Sequence, residues 1–234
     1  MNNNCKRLIS ALLFAAALVL PCSANGAYRL LELDGHPVKW GKAQLGTGAV
    51  ITYNLAGRSS RGGMINCRAI TPLTLLLRRS RLTGDSFERA LNSALHAWEA
   101  VANVRFVRVA NNAAANLTIG AEQAPDGTAY TDVTPVSSAT NSVTTPARAV
   151  ICLNPVLQWT VTKRTGARVL GYVLEHEIGH TLGLDHPSPS GELMSFEYSD
   201  VVQTLQPGDV AGITFLYGPA VHAGTVALSL SAQR

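Results

Sequence analysis

The residues best suited to chemistry lie between Leu174 and His186, in the run L-E-H-E-I-G-H-T-L-G-L-D-H. His176, His180, His186 and Glu177 stand there at spacings that suit metal-assisted hydrolysis. On a helix, His176 and His180 are i and i+4, so both imidazoles project from one face, one turn apart, and can bind a single ion. Glu177 follows the first of them about 100° around the helix axis, where its carboxylate can reach a metal-bound water. Gly183 can adopt the left-handed conformation that ends a helix and reverses the chain, which lets His186 return as a third ligand. A zinc ion held by three imidazoles keeps a fourth position for water, whereas structural zinc fills all four positions with Cys and His; no cysteine pair or fourth histidine lies near this run. Neutral imidazoles leave the ion its charge, which lowers the pKa of the bound water to about 7. Glu177 would then act as general base and, once protonated, return the proton to the departing amine.

The full pattern H-E-x-x-H-x-x-G-x-x-H resembles the signature of the metzincin zinc endopeptidases, in which a methionine-containing turn follows beneath the metal. Met194, eight residues after His186 in G-E-L-M-S-F-E-Y, has the spacing of the matrixins, and Leu205 to Gly218, L-Q-P-G-D-V-A-G-I-T-F-L-Y-G, is similar to the closing helix of matrixin and serralysin catalytic domains. The resemblance implies an α+β fold of the zincin-like metzincin type. Its parts would be a twisted mixed sheet of about five strands, three main helices, and a zinc cleft between upper and lower subdomains. It implies that Met194 forms an apolar floor beneath the histidines. It also implies that Phe196 and Tyr198 stand where matrixins carry a Pro-x-Tyr wall of the pocket for the substrate residue after the cut bond, with Phe196 replacing the proline. Phe196 has no hydroxyl to approach the metal, unlike the tyrosine that astacins and serralysins place there, and Pro187 after the third histidine is a serralysin feature. The serralysin calcium repeats are missing, which favours the matrixin side. No histidine lies between His96 and His176, so the second, structural zinc of matrix metalloproteinases is not expected. Asp126 and Asp132 leave calcium an open question.

The chain has 234 residues, 47% of them hydrophobic, which suits one domain with a sizeable core. A formal net charge of +4 with scattered basic residues excludes an evident nucleic-acid surface. The tight cluster Arg78, Arg79 and Arg81 reads as a solvated loop ahead of a helix. Lys6 and Arg7 followed by an apolar stretch from Leu8 to Leu20 read as a secretory leader, too short to span a bilayer, so no stable membrane anchor is expected. The expected division is a leader over residues 1–24 cleaved after Ala24, a short segment 25–36, a catalytic domain over 37–220 and a tail over 221–234. Lipidation of Cys22 is the rival fate, disfavoured by Pro21.

Export leaves Cys67 and Cys152 under oxidising conditions, where a disulfide between them is the leading reading. A zymogen latch through Cys67 is the alternative, although M-I-N-C-R-A-I does not resemble the family's latch sequence. Production as an active enzyme, or inhibition by a separate partner, is expected instead of a latch, and the chain is expected to be a monomer.

Ala49 to Leu55 reads as a strand. Between Gly57 and Gly84, R-S-S-R-G-G looks like a loop and P-L-T-L-L-L either a strand or a helical turn. Asp85 with Glu88 reads as a capping pair for a helix that buries Phe87, Leu91, Ala94, Leu95, Trp98 and Ala102 and exposes His96. Val104 to Val109 and Ala115 to Ile119 read as strands, Gly120 to Ala149 as one long loop, and Arg148 to Leu153 as another strand. Thr165 reads as the cap of the zinc helix, whose buried face carries Val169, Leu170, Val173, Leu174 and Ile178.

The expected function is a secreted, extracellular or periplasmic, zinc endopeptidase acting on protein or peptide substrates. A metzincin-like binding protein that has lost catalysis is disfavoured by Glu177, and a cell-wall amidase by the methionine turn and closing helix.

Overall fold

The first described residues already touch the histidine run: in a computed structural model covering residues 28–61, 66–111, 113–123, 127–136, 143–188, 191–197 and 204–221, the short strand β1 (Arg29–Leu30) pairs antiparallel with Leu184–Asp185. Tyr198, Asp126, the leader with Cys22 and Ala24, and residues 222–234 of the tail lie outside these described residues.

β-Branched and aromatic side chains carry the main sheet. β2 (Ala49–Leu55) is followed by the short β3 (Ala69–Thr71), helix α1 (Thr74–Ser80), helix α2 (Gly84–Val101), β4 (Val104–Arg108), β5 (Leu117–Glu122), β6 (Ala129–Pro135) and β7 (Pro146–Leu153). β2 pairs parallel with both β4 and β5, and β5 pairs parallel with β7. β6 closes the far side antiparallel to β7, and β3 lies antiparallel beside the end of β5. The order β4-β2-β5-β7-β6 is the mixed sheet of about five strands that the sequence led us to expect. Helix α3 (Leu170–Leu182), strand β8 (Leu184–Asp185) and helix α4 (Pro207–Tyr217) complete the elements that matter to the site; among the described residues the α+β fold has the three main helices expected, α2, α3 and α4, and the shorter α1 besides.

The differences from expectation have local causes. The undecided P-L-T-L-L-L run forms most of α1, whose last turn carries Arg78 and Arg79 and whose C-cap is Arg81 at φ 54°. The basic cluster is therefore a helix end, where positive charge suits the dipole, and not a loop. Helix α2 is capped by Thr83, which accepts from the Ser86 N–H while the Ser86 hydroxyl accepts from the Thr83 N–H. Glu88, expected as half of the cap, instead receives Arg108 at 2.9 and 3.0 Å. Thr165 lies in a turn; Arg168–Val169 pairs with Trp159–Thr160 and delays the start of α3 to Leu170. The long loop expected from Gly120 to Ala149 contains β6, whose Tyr130, Thr131 and Val133 favour strand; a search for helical periodicity overlooks it.

The core lies between α2, α3 and the sheet, with Phe87, Leu91, Leu95 and Trp98 meeting Leu117, Ile119, Ile151, Leu174 and Ile178. His96 is exposed. Cys67 and Cys152 form a disulfide on the opposite face of the sheet, their Cα atoms 5.9 Å apart. Beside it, Asp132 accepts the backbone N–H groups of Asn66 and Cys67 at 2.9 and 2.7 Å, holding that segment against β6.

Candidate active site

Helix α3 places the first two histidines and is held at several points along its length. The Trp98 indole donates to the Glu175 carbonyl at 2.9 Å. At the C-terminus, where the last carbonyls of a helix lack partners within it, the Trp40 indole donates to Thr181 O at 2.7 Å and the Tyr217 hydroxyl donates to Leu182 O at 2.8 Å. Gly183 then takes φ +103°, the conformation glycine adopts without strain. A Cβ there would also collide with the Val38 carbonyl oxygen. This one residue turns the chain so that His186 comes back over the helix.

The three Nε2 atoms converge, with separations of 3.1 Å (His176 to His180), 3.1 Å (His180 to His186) and 3.2 Å (His176 to His186). Three nitrogens bound to one tetrahedral zinc at about 2.0–2.1 Å lie about 3.4 Å apart, so the donor set fits that ion. The other ring nitrogens fix the tautomers: His176 Nδ1 lies 2.7 Å from the Leu193 carbonyl and His180 Nδ1 lies 2.8 Å from the Leu184 carbonyl. A carbonyl only accepts, so each Nδ1 carries the proton and each Nε2 presents a lone pair. Burial pushes all three imidazole pKa values down, and mutual repulsion adds to this at His180 and His186. Each of these effects favours the neutral imidazole, the form that binds a metal.

Glu177 is buried at the cleft beside them, and burial pushes its carboxyl up to about 7. Thr131, on β6, opposes that shift by donating from Oγ1 to Glu177 Oε2 at 2.6 Å.

Met194 is 1% exposed and lies under α3. The contact depends on Gly179, because a Cβ at that position would run into the Met194 sulfur and Trp98 Cζ2. Asp209, on α4, holds the turn from behind: its carboxylate accepts the N–H groups of Leu193 (2.8 Å), Met194 (3.1 Å) and Gln206 (2.8 Å). Glu192 returns the contact by accepting the Gly208 N–H at 2.9 Å. Because Leu193 O orients His176, Asp209 is connected to the histidine cluster through two hydrogen bonds.

These side chains open onto a cleft of about 520 Å³ bounded by β6, α3 and the segment 192–197. Phe196 stands at its mouth, 80% exposed, with its ring edge-on to His186 at 5.1 Å between centroids. The structure therefore brings His176, His180, His186, Glu177, Met194 and Phe196 together, and places Cys67 and Cys152 elsewhere. Sequence reasoning did not single out Thr131, Asp185, Asp209 or Trp40 as site residues. Asp209 had a signal, an acid two residues after Pro207 at a helix start, while Thr131 had none.

The matrixin family model matches residues 71–218. Human matrix metalloproteinase-20 is 30% identical over 156 residues, an overlap covering 62% of this chain and 32% of that protein, so the chain spans about a third of the length of that relative. The chain belongs to the matrixin family, a family of metalloendopeptidases.

Proposed function

We propose that the protein is a secreted zinc endopeptidase in which Glu177 moves the protons of peptide-bond hydrolysis. The observation that carries this reading is the joint geometry of three imidazoles with Nε2 atoms 3.1–3.2 Å apart and a buried carboxyl beside them. Zinc bound to His176, His180 and His186 would supply a Lewis acid that polarises a peptide carbonyl and acidifies water. With Oε2 held by Thr131, proton exchange falls to the other oxygen of Glu177. A carboxyl whose pKa burial has brought to about 7 gives up and takes back a proton readily near neutrality.

The substrate class follows from the cleft wall. One edge of β6 pairs with β7, and Ala129, Tyr130 and Thr131 line the cleft, so an extended peptide can add there as a further strand. Export rests on the leader read in residues 1–24. Among the described residues no helix is long and apolar enough to cross a membrane.

Digestion of a peptide library with and without a chelator tests the reading. Chelator-sensitive cleavage is expected, with Glu177→Ala keeping zinc but losing turnover and His176→Ala losing the metal. A wild-type protein that binds zinc and cleaves nothing would favour the binding-protein reading instead.

A further inference from the structure

The three histidines are not supported alike. His176 and His180 each meet a backbone carbonyl through Nδ1. Asp185 Oδ1 lies 4.0 Å from His186 Nδ1, beyond hydrogen-bond reach, and holds the residue through its backbone, accepting the His186 N–H at 2.8 Å. The other oxygen, Asp185 Oδ2, is taken by Arg29 Nε at 3.0 Å. The carboxylate is therefore held on both sides, by the chain it orients and by a residue far upstream.

Arg29 is itself placed by three neighbouring contacts. Arg29 and Leu30 register opposite Asp185 and Leu184 in the β1–β8 pair. The Leu31 N–H donates to Gly183 O at 2.8 Å, at the turn that brings His186 back. Tyr28 packs its ring 6.3 Å from that of Phe215 on α4 and lies so close to Gly212 that a Cβ there would meet Tyr28 Cβ at 3.0 Å.

From this placement we infer that Arg29 and Asp185 are a positioning pair for the third metal ligand, which makes the segment Tyr28–Leu31 part of the metal site. The pair acts through His186, setting how it presents its lone pair. Outer-shell partners of metal-bound histidines change metal affinity by roughly 10–100-fold when removed. The pair's effect on folding stability is small by comparison, since Arg29 is 69% exposed and exposed ion pairs contribute little. The two effects are therefore separable.

The inference rests on zinc being the group that the histidines hold, and the experiment keeps the two apart. Zinc affinity of the full chain is measured by competition with a chromophoric chelator, alongside the visible spectrum of the cobalt-loaded protein. His176→Ala serves as the control for the site itself, and unfolding of the metal-free protein as the control for structure. Arg29→Ala is expected to weaken zinc binding about 10-fold and to alter the cobalt spectrum, while metal-free stability stays near wild type. Arg29→Lys keeps a donor for Asp185 and should recover most of both losses. Asp185→Asn should match Arg29→Ala, and the double variant should be no worse than Asp185→Asn alone, because the two act as one unit. Wild-type zinc affinity and cobalt spectrum in Arg29→Ala, with His176→Ala still losing metal, would overturn the pairing and leave the zinc reading intact. Loss of metal-free stability without loss of zinc affinity would overturn it equally, by making Arg29 structural. Zinc binding that His176→Ala does not diminish would instead remove the reading on which the inference depends.

Discussion

Thr131 Oγ1 lies 2.6 Å from Glu177 Oε2 and donates to it across 46 residues of sequence, tying the edge strand of the sheet to the buried carboxyl of the helix. Burial raises the Glu177 pKa and this hydrogen bond lowers it. Thr131→Val removes the lowering contribution, so the ionised base is populated only at higher pH. The acid limb of the kcat/KM profile should move up by about one unit, the equivalent of one hydrogen bond to a charged group. An unmoved or lowered limb would show that Thr131 does not tune the carboxylate.

Gly179 allows the Met194 sulfur to sit against the helix, and Trp98 closes the same space. Gly179→Ala overpacks this contact and should cost about 1–3 kcal/mol in denaturant unfolding. Met194→Ala in the same chain makes room for the new methyl group, so the double variant should be less destabilised than the two single effects added together. Strict additivity would mean that the two residues do not share the space.

Asp209 is 1% exposed and accepts three backbone N–H groups. Asp209→Ala leaves them to compete for water in a buried place and should cost about 2–3 kcal/mol. Because Leu193 is one of the three and its carbonyl orients His176, zinc affinity should fall as well. Unfolding in urea and zinc competition, run on the same variant, check both arms.

The Cys67–Cys152 bond closes a sequence separation of 85 residues. Replacing both cysteines with alanine should lower stability by about 2–5 kcal/mol, read as a lower denaturation midpoint. Zinc affinity should stay unchanged, since neither sulfur is near the histidines. A variant that lost zinc but kept its stability would show that the bond supports the histidines rather than the fold.

Legibility along this chain follows the range of the interactions involved. The i, i+4 spacing of His176 and His180, the placement of Glu177 and the turn at Gly183 are properties of a single helix and its cap, so the pattern of residue types suffices. The buried face of α2 was legible for the same reason. The start of α3 was not: Thr165 is a sound cap in isolation, but pairing of Arg168–Val169 with Trp159–Thr160 moved the helix start to Leu170. Strand β6 escaped because its formation depends on an exposed partner edge at β7 as much as on its own composition.

By itself the sequence brought out the three histidines, Glu177 beside them and Gly183 after them, because their convergence follows from local spacing along one helix and its cap, and its motifs carried the resemblance to the family that the chain belongs to. Tertiary structure alone decided what surrounds and tunes them: Thr131 against Glu177, Asp209 behind Met194, Arg29 behind Asp185. Those partners come from segments far apart in the chain, and their meeting depends on sheet register and helix packing, which no local pattern of residue types encodes.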